Sequence, residues 1–466
     1  MKKANLLTKA LVIVLAFVMA LQLAACGGGA ANSNTGKKEE VLKPERVNEP
    51  LFEKRENADP DIDLLIWWPP KSDIQEINAL YSQIYGGKVN VIEKAWGQMS
   101  STMASYVAAG TPAEVVLCGT NEAPLWAAQG LLEEIPMDKL DQTSEYWDLA
   151  TMNDEYTVKG KVYALAYNDL TGTRFSTLIY NENLFKKYGV KTPYEHFKEG
   201  NWDFEQFRKT AAEMTMDTDD DGFVDLFGFD ASLTVRGTLM TANATAPLKF
   251  SNNKYSLNFD DQRVVEALQL YHDMYNLDKS INQTEFKQYQ NFLNKRCAMV
   301  EVTIDSYAQF YLDGAQPGDA ALCIFPSGPS AKGKYFAKST GHTGICSVKG
   351  TGNMDATIAW MECAISVWLE LGKDSPRETV AYMYSDEEKA RIQEFNEAVI
   401  PYSESGFKHN KEGVPGRGFI VANNVTAESM MQEIRRNISL ATVLEKYKPT
   451  LQSELDSANA IFAAAK

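Results

Sequence analysis

From residue 62 onward, short apolar runs of strand length alternate with stretches whose apolar residues recur at helical spacing. Leu64–Trp68 precedes a helical pattern through Ile77 and Tyr81. Lys88–Glu93 precedes a face made by Met99, Met103, Tyr106 and Val107. Glu114–Leu117 precedes a short helix around Trp126 that ends at Gly130. This order restricts the chain to α/β layers, because each helix must bury its stripe against a sheet. Gly110 and Pro112 predict the end of the Met99 helix, as a C-cap glycine and a following proline do. A body of roughly 400 residues exceeds what one core usually serves and predicts two domains.

Further along, KVYALAY (161–167) and Thr177–Tyr180 predict strands. In NWDFEQFRKTAAEMT (201–215), Asp203 is placed to cap a helix, with Gln206 as its capping-box partner. Phe204, Phe207, Ala211 and Met214 then form the buried face, and Trp202 belongs to the core. Later helices are predicted at Arg263–Tyr275, Met354–Leu371, Asp386–Ala398, Glu428–Asn437 and Thr450–Ala464, with Trp360 as a core residue.

The amino terminus has a different character. Lys2, Lys3 and Lys9 precede an uninterrupted apolar stretch, Ala10–Leu21, and small residues then lead to Cys26 and three glycines. This is the layout of a secretory leader, and its apolar core is too short for an ordinary membrane span of about 20 residues. The Leu23-Ala24-Ala25-Cys26 segment resembles a bacterial lipobox. That resemblance implies diacylglycerol transfer to the Cys26 sulfur, cleavage before it, and a membrane anchor of acyl chains such as palmitate. The expected organisation is a leader over 1–25 and a flexible tether over 26–61, rich in Gly, Ser, Asn and charge.

The formal net charge is −16, and a leader cleaved before Cys26 removes three lysines and no acid, leaving the mature chain near −19. A polyanionic surface argues against nucleic acid as a partner, since phosphate binding depends on basic patches. It argues equally against electrostatic adhesion to anionic lipid. Cys118, Cys297, Cys323, Cys346 and Cys363 sit mostly in apolar sequence and read as buried free thiols, with one disulfide left open. There is no Cys or Cys/His cluster with zinc spacing, and the four histidines lie far apart.

One local motif is sharp. In Asp217-Thr218-Asp219-Asp220-Asp221-Gly222-Phe223-Val224-Asp225, carboxylates fall at loop positions 1, 3, 5 and 9 and glycine at position 6. This is the calcium-loop spacing of an EF-hand, with Asp217, Asp219, Asp221, Asp225 and the Phe223 carbonyl as candidate ligands. Position 12 is Gly228 where the bidentate glutamate would stand, so the set is incomplete. The competing reading is an acidic surface turn, and in either case the loop is structural.

Several patterns then coincide in order: VAAGTPAEVVL (107–117), WAAQGLLEEIP (126–136), KVYALAYN (161–168), STLIYNENLFKKYGVKTP (176–193), NWDFEQFRKTAAEMT, FLNKRCAMVE (292–301), CIFPSGP (323–329) and YKPTLQSELDSAN (447–459). This series resembles the bacterial extracellular solute-binding lipoproteins of the maltose-binding-protein-like type, the capture subunits of carbohydrate ABC importers. Ala113-Glu114 and Arg296-Cys297 depart from the usual residues and leave the subfamily open.

The resemblance implies a two-lobed periplasmic-binding-protein-like α/β fold with ligand in the inter-lobe cleft and a multi-segment hinge. The first lobe is expected over 62–168 and 342–402, and the second over 169–341 and 403–466. Crossings are expected near 167–173, 341–347 and 400–405. It further implies a monomeric receptor on the outer face of the cell membrane with ABC permease subunits as partners.

Carbohydrate sites combine aromatic faces with amides and carboxylates. The ligand candidates are Trp68 at the end of the first strand, Asn121 and Glu122 after the third, and Tyr167, Asn168 and Arg174 at the first crossing. Asp305 and Tyr307, after the MVEV run, complete the set. No GxSxG, HExxH, phosphate loop or dinucleotide fingerprint is present, and catalysis is not expected. A receptor for a peptide or polyamine and an extracellular glycan-processing enzyme are the alternatives left open.

Overall fold

The computed structural model describes residues 50–464 except 68–71, 119–121, 168–176, 234, 252–253, 285–286, 303–309, 312, 339–343, 375–385 and 403–423. Its strands, in chain order, are β1 (Ile62–Ile66), β2 (Val89–Glu93), β3 (Val115–Cys118), β4 (Thr157–Val158), β5 (Lys161–Val162), β6 (Thr177–Tyr180), β7 (Phe227–Asp230), β8 (Leu248–Ser251), β9 (Lys254–Leu257), β10 (Cys297–Val302), β11 (Ala321–Ile324), β12 (Tyr335–Lys338), β13 (Gly344–Cys346) and β14 (Val399–Tyr402).

Two four-stranded sheets organise two hydrophobic cores. The first has the order β13-β3-β1-β2, with β1 parallel to β2 and β3 and with β13 antiparallel to β3. All four residues of β3 are buried, the mark of a strand covered on both faces. The helices Ser72–Tyr85 and Met354–Asp374 pack on each other and on this sheet, burying Ile77, Tyr81, Trp360 and Ile365. The Met99–Ala109 helix ends at Gly110, whose φ of 68° supplies the left-handed C-cap predicted for it.

The second sheet runs β11-β6-β10-β7. Here β10 is parallel to β7, while β6 is antiparallel to both β10 and β11. Its core gathers Trp202, Phe207, Phe229, Val264, Tyr271 and Phe310. Asp203 caps the Phe204–Glu213 helix, accepting from the Gln206 N–H at 2.9 Å. The expected capping box does not close there. The Gln206 amide reaches instead to His196 Nε2 at 3.2 Å and Thr210 Oγ1 at 3.1 Å, because His196 stacks on the Trp202 ring beside it. A reciprocal box forms one turn-loop earlier, between Thr192 and Glu195.

The chain passes from the first core to the second between Tyr167 and Leu178, returns between Ala337 and Ile345, and crosses again between Val367 and Phe395. Two boundaries therefore move. Residues 386–402, expected in the first lobe, belong to the second: Phe395 is fully buried in its core and β14 pairs with β12. The third crossing accordingly precedes residue 395 and does not lie near 400. The final helix, expected from Thr450, runs from Leu440 to Ala464 with Pro449 inside it. It packs on the neighbouring Asn424–Ile434 helix, on β9, and also on the Ala123–Ala128 helix, whose Leu125 joins the second core.

The KVYALAY run is only partly a strand. Lys161–Val162 forms a small hairpin with Thr157–Val158, and the remainder contributes the isolated bridges Leu165–Ile345 and Trp147–Tyr167. Cys118, Cys297, Cys323, Cys346 and Cys363 are all free and buried.

The tether is shorter than expected, because residues 50–61 form a strap on the first lobe. Phe52 packs on the rings of Tyr146 and Trp147, with centroids 5.4 and 5.9 Å away. The Leu51 N–H donates to Ser366 Oγ at 3.1 Å. The Arg55 guanidinium forks onto Glu362, with Nε–Oε2 at 2.9 Å and Nη2–Oε1 at 2.6 Å, and donates to the Lys139 carbonyl. Tyr81 Oη donates to the Asp59 carbonyl. At Gly87 a Cβ would stand 1.8 Å from the Pro60 carbonyl oxygen, so only glycine lets the strap lie down there. Composition averaged over 26–61 hides these few anchoring side chains.

Candidate functional site

In open α/β sheets, ligands bind beyond the carboxyl ends of parallel strands. In the first lobe those ends are Ile66, Glu93 and Cys118. Trp67 follows β1 and is half-buried against the first core, and Trp68 lies outside the described residues. Glu122, half-buried, precedes the Ala123–Ala128 helix, and its carbonyl accepts the first helical bond from the Trp126 N–H at 2.9 Å. Tyr167 is half-buried on the first core, held by its bridge to Trp147, and is the last described residue before the first crossing. Asn121, Asn168, Arg174, Asp305 and Tyr307, like Cys26, lie outside the described residues. Glu122 and Tyr167 both belong to the first lobe: the former follows β3, and the latter lies two residues after Leu165, which bridges Ile345 on β13.

In the second lobe the carboxyl ends of the parallel pair are Asp230 and Val302. Asp230 is buried, accepts from the Asn282 and Asn291 amides at 2.7 and 2.8 Å, and burial pushes its carboxyl upward despite them. Glu301, one residue before the end of β10, is partly exposed and accepts from Thr238 Oγ1 at 2.5 Å. Sequence reasoning passed over Glu301 because a lone acid inside a strand pattern carries no signal. Its position follows from register, opposite Leu178 on β6, the strand that leaves the first crossing.

The aspartate loop is closed at its base by the bridge between Met216 and Leu226. Asp217 Oδ2 accepts from the Gly222 N–H at 2.7 Å, and this bond lowers the Asp217 carboxyl below its usual range. Asp225 Oδ2 accepts from the Thr218 N–H at 2.7 Å, and Asp221 Oδ1 from the Phe223 N–H at 2.8 Å. Gly222, with φ of 89°, makes the sharp turn. Oxygens of Asp217, Asp219 and Asp225 lie within 4.8 Å of one another. Asp221 is not part of that grouping, and Phe223 is 74% exposed. Gly228, the twelfth position, lies on β7, where a Cβ would meet the Ala211 carbonyl oxygen at 1.8 Å. Close packing of β7 on the Phe204–Glu213 helix thus rules out a twelfth-position carboxylate.

A family model described as bacterial extracellular solute-binding protein matches residues 69–388. No curated protein matches in sequence. Among solved structures, the chain is similar to the maltose/maltodextrin-binding domain of Bdellovibrio bacteriovorus bound to maltotriose. That match has a TM-score of 0.61 at 14% identity and covers 85% of this chain and all of that one. It is similar to an ABC substrate-binding protein of Listeria monocytogenes in complex with cycloalternan, with a TM-score of 0.60 at 15% identity, covering 86% and 99%. It is also similar to the galacto-N-biose/lacto-N-biose I-binding protein of Bifidobacterium longum, with a TM-score of 0.59 at 13% identity, covering 88% and 99%. These likenesses give the two-lobed periplasmic-binding-protein fold. With the family model spanning more than half of its length, the chain belongs to the bacterial extracellular solute-binding proteins.

Proposed function

We propose that this chain is a non-catalytic receptor that captures a sugar or oligosaccharide outside the cell and delivers it to the permease of an ABC importer. The observation that carries the reading is the pair of separately cored α/β lobes joined by three crossings, in a chain matched by the solute-binding family model over 69–388. The named ligands of the similar structures, maltotriose, cycloalternan and lacto-N-biose, support a carbohydrate. Delivery requires ligand to favour the closed form, since only differential affinity shifts a population. Trp68, Asn121, Glu122, Tyr167, Asn168, Arg174, Asp305 and Tyr307 are the proposed contacts.

In the same reading Cys26 carries the lipid anchor. Among the described residues no helix is long and apolar enough to cross a membrane, so the acyl chains would hold the protein to the outer face. The tether then comprises residues 26–49, and the strap fixes its exit on the first lobe. Calcium in the aspartate loop, held by Asp217, Asp219 and Asp225 with Asp221 and the Phe223 carbonyl, would brace the turn after the Phe204–Glu213 helix. It would do no chemistry.

The test is thermal unfolding of the leader-free protein against mono- and oligosaccharides, with the sugars recovered and analysed. A ligand at 100 times its Kd adds about 2.7 kcal/mol. A shift with intact sugar recovered supports the receptor. Cleaved sugar supports the enzyme alternative. Shifts with peptides or polyamines alone move the reading to another solute.

A further inference from the structure

We propose that Leu125, on a short helix of the first lobe, is seated in the second lobe and holds the two lobes in the arrangement seen here, so that this one contact sets the cost of lobe movement and, through it, ligand affinity. The affinity half rests on the sugar-capture reading; the lobe-movement half does not.

The sequence comes first. Ala123-Pro124-Leu125-Trp126-Ala127-Ala128 is apolar throughout, and all six residues are buried. A helix that is apolar all round must be covered all round. Here the cover comes from both lobes. Ala123, Trp126 and Ala127 join the first core. Leu125, 9% exposed, joins the second, and the final helix Leu440–Ala464 packs on the short helix.

Each helix is tied to its own lobe. The short helix closes at Gly130, whose φ is 73°, and the Leu131 N–H donates to the Trp126 carbonyl at 2.9 Å. The chain then bridges Leu132 to Val348, within the first core. The final helix buries Val443, Leu444 and Leu455 in the second core. Its Asn459 grips β9 through both backbone groups of Tyr255. The Tyr255 N–H donates to Asn459 Oδ1 at 3.0 Å, and Asn459 Nδ2 donates to the Tyr255 carbonyl at 2.8 Å. Neither helix belongs to any of the three crossings, which span residues between 167 and 178, 337 and 345, and 367 and 395. The seat therefore joins the lobes where the chain does not. Any lobe movement that parts these two helices must expose Leu125.

The energetics follow. Returning a buried leucine side chain to water shifts an equilibrium by roughly 10- to 100-fold. The seat favours the arrangement that contains it over every arrangement that lacks it. Ligand affinity carries the same bias, with its sign set by whether the bound ligand keeps or leaves the seat.

The test compares wild type with Leu125→Ala, Leu125→Met and Met103→Ala by small-angle X-ray scattering and calorimetric titration. Met103 is fully buried in the first core alone, so its truncation is the control for lost stability. The probes are maltotriose, cycloalternan and lacto-N-biose. Ligand-free wild type should scatter as the arrangement described here. Leu125→Ala should depart from it, whereas Leu125→Met and Met103→Ala should not. Where sugar-bound wild type keeps this arrangement, Leu125→Ala should bind roughly tenfold more weakly; where it leaves the arrangement, roughly tenfold more tightly. Met103→Ala should lower the ligand-free melting temperature with affinity unchanged. Four results overturn the proposal: ligand-free wild type in another arrangement, unchanged scattering and affinity in Leu125→Ala, an affinity shift of the opposite sign, or an equal shift in Met103→Ala. Failure of every sugar to bind wild type overturns the sugar reading instead, and the ligand-free scattering still decides the seat.

Discussion

Replacing Arg55 by alanine should destabilise the first lobe in a pH-dependent way. Glu362 is 6% exposed, and Arg55 supplies both of its charge-assisted bonds. Removing one partner of a buried pair costs about 3–5 kcal/mol, because the other charge stays behind unpaired. Arg55 itself is about one-fifth exposed, so water can enter where the guanidinium was, and the lower end, about 3 kcal/mol, is the expected value. For a lobe of this size that is a fall in Tm of roughly 6–12 °C.

The sign of the pH dependence follows from Glu362. Burial already raises its carboxyl above the usual range, and Arg55 opposes that rise. Without Arg55 the folded value climbs further above the unfolded one. A carboxyl raised on folding binds its proton more tightly in the folded state. The deficit of Arg55→Ala relative to wild type should therefore be full at neutral pH and shrink as pH falls through the folded value toward about 4.3. Arg55→Ala combined with Glu362→Gln should recover part of the loss and flatten its pH dependence. The assay is differential scanning calorimetry of the three proteins between pH 5 and 8. Equal melting of Arg55→Ala and wild type refutes the latch. A pH-independent deficit, or no recovery in the double variant, refutes the assignment of the cost to the stranded Glu362 charge.

Three further outcomes are expected. Gly228→Ala should cost about 3 kcal/mol by overpacking, since its Cβ would meet the Ala211 backbone at 1.8 Å, and denaturant unfolding reads this directly. Chelation should lower the melting temperature of wild type but not of Asp217→Asn, and an unchanged wild-type melt would mean the loop is braced by its own hydrogen bonds. Tyr167→Ala and Glu122→Ala should each weaken sugar binding, with Tyr167→Ala also lowering the ligand-free melt because its ring packs on the first core, and wild-type affinity in both would move the first-lobe contacts elsewhere.

How much was legible in the sequence depended on the range of the signal. The strand–helix alternation, the Gly110 stop and the buried stripe Phe204, Phe207, Ala211 and Met214 are local, and periodicity carries them. The strap was hidden because Arg55 and Glu362 are 307 positions apart, and nothing near either residue announces the other. The side of the third crossing was hidden for a related reason. The Asp386–Ala398 helix is placed on the second core by the burial of Phe395 there and by the β12–β14 pairing, and neither is a local feature of its sequence. Glu301 depended on strand register, which an apolar run does not reveal. The aspartate spacing was fully legible, but the reason for its missing twelfth ligand was not, because Gly228 answers to the Ala211 backbone rather than to a cation.

The most direct measurement is a calorimetric titration of the leader-free protein with neutral oligosaccharides. The account predicts saturable one-to-one binding of at least one of them, with the sugar recovered uncleaved. Absence of heat with every sugar, alongside saturable binding of a peptide or polyamine, would contradict it.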